Sequence, residues 1–154
     1  MILTADIDGQ LTFILQRRGK FSHQRMAPAY YPGVCQLTMM GKVEKGEDPL
    51  TTFWRELKEE LGGDFAGYLR NCFDEGSLKP VATKEDCLVY HQHLTKDLLA
   101  FHLKNSIRLE PCTGGLEFVP KNQLKNIVDL KNYPDGADWS GVIAMFPDDL
   151  AVLL

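Results

Sequence analysis

The sequence contains no apolar run near the roughly 18 residues that a membrane helix needs, which excludes a helical integral membrane protein. Asp6 interrupts the first apolar stretch after a few positions, so no signal-peptide core is expected. Cysteine is scarce: Cys35, Cys72, Cys87 and Cys112 are the 4 thiols. No two of them form a C-x-x-C pair, which argues against zinc. At this length and density a disulfide framework is not expected either, so the cysteines read as reduced thiols in a cytoplasmic protein. Basic excess is also missing, with Lys+Arg 17 against Asp+Glu 21, a net charge of −4 and a pI near 5.5. Gripping a phosphate backbone needs a basic face, so the balance argues against a nucleic-acid partner, though not against a nucleotide held locally. There is no repeat, low-complexity run or linker.

What is present is one domain's worth of chain. Its 154 residues are 44% hydrophobic and 25% charged, ordinary proportions for a folded domain with its own core. Residues 1–154 therefore read as a single domain. Strands are expected over 2–7 and 11–17, joined by Asp8-Gly9, a strong hairpin signal. Residues 20–33 read as a loop, 34–40 as a strand and 41–48 as a Gly- and charge-rich loop. Asp48 suits a helix N-cap and Pro49 the first helical position, so a helix is expected over 49–61, ended by Gly62-Gly63. Further strands are expected over 65–73, 87–94, 106–109 and 116–119. Residues 95–103 read as either a strand or a short helix, the helix favoured with Thr95 as cap, and helices are expected over 120–130 and briefly at the C-terminus. Residues 133–141 read as a loop. Strands and helices mix without a regular βαβ alternation, which predicts a mixed sheet with helices packed on it.

The helix over 49–61 has two distinct faces. Leu50, Phe53, Trp54, Leu57 and Leu61 fall within about 100° of arc at about 100° per residue, a buried stripe. Glu56, Glu59 and Glu60 sit at i, i+3 and i+4 on a different face. Like charges at this spacing cost a few tenths of a kcal/mol each, and two of them lie near the negative end of the helix dipole. A solvated glutamate face is a common reason for such a pattern. A hard cation that neutralises the group is the other, and magnesium, which takes one or two carboxylates plus substrate phosphates, suits it.

The surrounding residues favour the cation. The segment GKVEKGEDPLTTFWRELKEELGG resembles the Nudix signature, G-x5-E-x7-R-E-U-x-E-E-x-G-U with U apolar. Gly41, Glu47, Arg55, Glu56, Glu59, Glu60 and Gly62 fall on the fixed positions, Leu57 fills the first apolar slot, and Gly63 stands in the last. Chance agreement at all the fixed positions is on the order of 10⁻⁸ or less per start position. A strand ending in Gln16-Arg17-Arg18, the Pro32-Gly33 lead-in, and a late strand running into Val119-Pro120 are also similar to Nudix domains. The resemblance thus covers essentially the whole chain, though only the signature is specific.

The resemblance implies an α/β/α sandwich with a mixed β-sheet. It implies Mg²⁺- or Mn²⁺-dependent hydrolysis of a nucleoside diphosphate linked to another moiety, a small-molecule diphosphate substrate. Glu56, Glu59 and Glu60 become the metal-facing carboxylates, with Glu59 and Glu60 the surest ligands and Glu56 either a ligand or the group that activates water. Arg55 would orient a neighbouring glutamate, with Glu47 as its partner, and the Gly41 carbonyl would complete the metal shell. Nudix proteins are often dimers, which admits a homodimer here. A Nudix-fold module that binds a nucleotide without cleaving it is the reading from another class.

The departures are informative. Many Nudix proteins have Gly-Gly where this chain has Met40-Gly41. Isopentenyl diphosphate isomerases, which share the fold, place a catalytic Cys and a ligand His where Met40 and Lys42 stand, and Cys35 lies five residues too early for that role. For substrate binding the candidates are Arg17 and Arg18, with Lys20 and Arg25, which would steer phosphates. Phe21, Tyr30 and Tyr31 would stack on a base or pack under their loop. His91 and His93 alternate along a strand and so point to one face. Glu85 and Asp86 are either an extra acid or a surface turn.

Overall fold

The computed structural model describes residues 1–22, 26–84, 87–106, 113–132 and 141–154. The chain begins with the expected hairpin. Strand β1 (Ile2–Ile7) turns into β2 (Gln10–Arg18) through Asp8 and Gly9, both at positive φ, 51° and 75°. A two-residue turn with both centres left-handed matches the twist of the strands it joins. It sets the register Leu3↔Ile14 to Ile7↔Gln10.

Strands β3 (Phe21–Ser22) and β4 (Ala27–Pro28) form a small separate ribbon. The strand expected over 34–40 shrinks to β5 (Cys35–Gln36). Its register on β2, Gln16↔Gln36, would next set Thr38 opposite Ile14, but β1 already occupies that edge at Ile14. The buried Thr38 hydroxyl instead donates to the Ile14 carbonyl at 2.5 Å.

Helix α1 (Pro49–Leu61) matches its expected bounds. The strand expected over 65–73 is α2 (Gly63–Asp74) instead. Phe65, Tyr68, Leu69 and Cys72 are spaced i, i+3, i+4 and i+7, one helical face. Gly67 and the aromatics lower helix propensity locally, and packing overrides them. Phe65 and Leu69 are fully buried beside Leu57 and Leu61 of α1. There follow β6 (Pro80–Lys84), which the sequence reading did not anticipate, β7 (Cys87–Leu94) and α3 (Lys96–Ser106). Thr95 caps α3 as expected, accepting the Leu98 N–H at 3.4 Å. Ser106 ends α3 rather than starting a strand, and residues 107–109 lie outside the described residues.

Strand β8 (Thr113–Pro120) contains the expected strand over 116–119. The helix expected over 120–130 is a 3-10 helix, Lys121–Asn126, followed by β9 (Val128–Asp129) and a second 3-10 turn, Leu130–Asn132. Leu124 is the only buried residue of the first turn, too little apolar surface to seat a longer helix, and Val128 joins the sheet instead. The loop expected over 133–141 lies outside the described residues except for Gly141. Strand β10 (Ala144–Met145) and helix α4 (Pro147–Leu153), the expected terminal helix, complete the chain.

The main sheet has the order β6-β7-β1-β2-β5-β10-β9, with β8 also on β2. Pairs β1–β7, β5–β10 and β9–β10 are parallel and the others antiparallel, so the sheet is mixed. Successive residues of a strand face opposite sides. Ile14 joins Leu3, Ala5 and the buried residues of α1 and α2 on one face, with Leu98 and Phe101 of α3 packed against them. Leu15 joins Cys35, Val119, Met145, Leu124 and Leu153 of α4 on the other. Helices on both faces make the expected α/β/α sandwich. No helix among the described residues is long and apolar enough to cross a membrane.

Candidate active site

Helix α1 is fixed at both ends. Asp48 accepts the Thr51 N–H at 3.0 Å, and Gly62, at φ 86°, returns its N–H to the Lys58 carbonyl at 3.1 Å. Phe53, Leu57 and Leu61 are buried in the core, which fixes the rotation of the helix about its axis. That rotation leaves Glu59 exposed, half-buries Glu60 and buries Glu56.

Arg55 braces the group from one side. Its Nη1 donates to Glu56 Oε1 at 2.6 Å and lies 3.7 Å from Glu59 Oε2. Its Nε and Nη2 each reach one oxygen of Glu47 at 3.2 Å, a forked pair that fixes the guanidinium plane. The Thr52 hydroxyl donates to Glu47 Oε2 at 2.6 Å. Hydrogen bonds from Arg55, then from Thr52, hold the Glu47 carboxyl down at about 2. The same bonds, Glu47 first and Glu56 second, raise the already high pKa of Arg55.

Gly41 closes the other side. A Cβ built there would overlap Cγ of Glu56, with Cδ 2.5 Å away, so only glycine fits without moving that side chain. Next to it, the Met40 N–H lies near the Glu60 carboxyl, and Met40 itself projects outward, 46% exposed. Burial, then the charge of Glu56, push the Glu60 carboxyl up to about 8, against the lowering effects of that N–H and the amino terminus. Glu60 Oε2 is buried without a hydrogen-bond partner. An orphaned carboxylate oxygen among further carboxylates is a hard-oxygen donor set, which fits a divalent cation. Among the described residues no group of three His, Cys, Asp or Glu is gathered as a ready-made metal cage. A cation that keeps several waters and shares substrate phosphates does not need one.

The predicted substrate residues are placed differently. Arg17 is turned inward: its Nη2 lies 2.6 Å from Glu117 Oε2 and its Nη1 donates to the Gly33 carbonyl at 2.8 Å. Arg18 donates to the Tyr30 carbonyl at 3.1 Å, and its guanidinium lies 5.5 Å from the centre of the Phe146 ring, whose edge meets Tyr31. Both arginines thus brace the loop after β2. Tyr30 and Tyr31 are exposed, while Phe21 lies on β3. Cys35 is buried on β5, and burial pushes its thiol up to about 11, so it is not a thiolate at neutral pH. Arg25, Glu85 and Asp86 lie outside the described residues.

His91 and His93 share a face as expected, and both rings meet the hydroxyl of Thr4, at 2.7 and 3.1 Å. Thr4 was not singled out from the sequence, although Thr4 and Asp6 form a polar alternation on β1 that could have marked it. Asp149 was also missed. Asp149 is 4% exposed on α4, and its carboxyl is pushed up to about 6, chiefly by burial.

Comparison with known proteins gives one match. A family model described as NUDIX domain matches residues 1–137. No curated protein and no solved structure matches the chain.

Proposed function

The chain belongs to the Nudix family of hydrolases, and on that premise we propose that it is a divalent-metal-dependent hydrolase of a nucleoside diphosphate linked to another moiety. Nudix enzymes generally use Mg²⁺ or Mn²⁺. The observation that carries the reading for this chain is the buried, partnerless oxygen of Glu60 beside Glu56 and the close-packed Gly41. A buried carboxylate oxygen without a partner costs stability, and a bound cation would offset that cost.

In this reading Glu59 and Glu60 would hold the cation, and Glu56 and the Gly41 carbonyl would complete its protein ligands. When bound, the cation neutralises diphosphate charge and helps ionise the attacking water. The residues of the chain do the positioning. Glu47 and Thr52 fix Arg55, and Arg55 fixes Glu56. Gly41 keeps the loop against Glu56. A carboxylate of the group takes the proton of the water as its oxygen attacks phosphorus in line and the phosphate on the far side departs.

The test is a screen of nucleoside triphosphates, dinucleoside polyphosphates, ADP-ribose, NADH, coenzyme A and sugar nucleotides with Mg²⁺ and with Mn²⁺. Cleavage of at least one is expected, abolished by EDTA. The double variant Glu59→Gln/Glu60→Gln should keep its fold and lose most turnover. Full turnover in that variant would overturn the site. Tight nucleotide binding with no product over hours would show a binding module instead.

A further inference from the structure

The sheet face opposite α1 is only partly covered. Leu124 and Leu153 of α4 pack over Leu15, Cys35 and Val119. Along β1 and β7 the same face carries Thr4, Asp6, His91 and His93. Thr4 is 1% exposed, covered by the imidazoles, whereas His91 and His93 are themselves exposed and Asp6 is 68% exposed. Among the described residues nothing caps this strip.

The strip starts where β1 is tied to the loop that carries Met40 and Gly41. The amino group of Met1 donates to the Met39 carbonyl at 2.6 Å, just before Met40 and Gly41. Ile2, the next residue, pairs with His91 on the parallel neighbour, and Thr4 pairs with His93. Strands advance about 3.3 Å per residue, so the polar groups run from the metal loop to about 13 Å away at Asp6. That is the reach of a nucleoside whose diphosphate sits at the loop.

The hydrogen bonds fix what the strip presents. One arrangement satisfies every contact at once. His91 Nε2–H donates to Thr4 Oγ1, the Thr4 hydroxyl donates to His93 Nδ1, and His93 Nε2–H faces Asp6 Oδ2 at 3.5 Å. The reverse order would aim the lone pair of His93 at a carboxylate. Burial, then the neighbouring His93, lower the pKa of His91. His91 Nδ1 is then left as an outward acceptor, and Asp6 adds a negative charge that repels a second phosphate chain. With the His93 Nε2–H turned to Asp6, the strip offers two acceptors, His91 Nδ1 and the Asp6 carboxylate, and an amino group brings two N–H donors where the imide of uracil brings one.

We propose that Thr4, Asp6, His91 and His93 recognise the nucleoside part of the substrate, with His91 Nδ1 accepting a hydrogen bond from an amino group of its base. Thr4 and Asp6 are positioning residues that set the tautomers of the histidines. The assignment rests on the diphosphate hydrolase reading and narrows its substrate to nucleosides of adenine, cytosine or guanine.

The experiment follows the imidazole C–H resonances of the full chain by NMR during titration with AMP, CMP, GMP, UMP and inorganic phosphate. The signals of His91 and His93 should move with at least one amino-bearing nucleotide and stay in place with UMP and phosphate. No movement with any nucleotide, or equal movement with UMP or phosphate, overturns the proposal. His91→Phe, assayed on the substrate found by the screen, should raise KM about 3- to 10-fold at constant kcat, the loss of one neutral hydrogen bond. An unchanged KM, or an equal fall in kcat, also overturns it. Diphosphate cleavage without movement of these resonances removes the recognition strip alone. Selective movement without cleavage of any diphosphate removes the hydrolase reading instead.

Discussion

Gly41 lies so close to Glu56 that a methyl group at position 41 would occupy the space of the glutamate's Cγ. The glycine is therefore required by proximity rather than by backbone conformation, since its φ is not among the positive ones. Gly41→Ala should push Glu56 away from Arg55 Nη1, now 2.6 Å distant. A shift of about 1 Å in a reacting constellation can cost about 100-fold in rate. The variant is expected to fold and to lose roughly that much in kcat/KM, with its metal titration weakened in parallel. Wild-type kinetics in Gly41→Ala would show that Glu56 has no fixed part in turnover.

Arg55 tests the same brace from the other side. Its fork reaches both oxygens of Glu47 while its third nitrogen holds Glu56. A lysine keeps the charge but cannot make both contacts. Groups that orient metal ligands are typically worth about 10- to 100-fold in metal affinity, and Arg55→Lys should cost within that range. Because Glu47 titrates near 2, its contribution is present above its ordinary value of 4.5 and is lost as the pH falls through about 2. The metal affinity ratio of wild type to Arg55→Lys, measured by titration calorimetry, should thus show no step attributable to Glu47 between pH 5 and 8. A variant that binds metal as tightly as wild type would leave the brace without a function.

The signature helix was legible from sequence because each local signal agrees with the others: the Asp48 cap, Pro49, the Leu50 to Leu61 stripe and the terminal glycine all specify one element. The hairpin at Asp8-Gly9 was legible for the same reason. The segment after α1 was not, because its signals conflict. Gly67 and a run of aromatics argue against a helix, while the spacing of Phe65, Tyr68, Leu69 and Cys72 argues for one, and burial against α1 decides. The short β5 was hidden because its length is set by β1, which is far away in sequence yet already paired to Ile14. The carboxylates could be read as a group, but not that Glu56 is the buried one or that Glu60 keeps a buried oxygen without a partner. Nor could the internal pairing of Arg17 with Glu117, a contact across 100 residues.

Gly67 offers a direct check of α2. It is exposed in mid-helix, its φ is not positive, and a Cβ there meets nothing within 4 Å. Alanine at such a site removes backbone freedom from the unfolded chain and restores helix propensity, worth about 0.5–1 kcal/mol. Gly67→Ala should therefore raise Tm by about 1–4 °C for a domain of this size. A lower Tm would mean that this segment is not the helix described.

His102 gives the pH prediction. It is 1% exposed on α3, its ring centre lies 5.2 Å from that of Phe65, and neither ring nitrogen has a hydrogen-bond partner. Burial pushes its pKa down from 6.5 to about 4. The folded state thus binds the proton less readily than the unfolded state, so the unfolded chain holds more protons between those values. The stability linked to His102 is fully present above pH 6.5 and is lost as the pH falls through about 4, a loss of roughly 3 kcal/mol. Asp149, raised from 3.8 to about 6, works in the opposite sense: its contribution is present below 3.8 and is lost as the pH rises through about 6. Asp149 is common to both proteins when wild type is compared with His102→Leu, so the difference between them isolates the histidine. His102→Leu, of similar volume and without buried nitrogens, should be more stable by about 1–3 kcal/mol at pH 7. Its advantage should then widen steadily as the pH is lowered from 6.5 to 4 in urea titrations. An advantage that stays constant over that range would place the ring's ionisation outside the folding equilibrium, and with it the assignment of His102 as a neutral core residue.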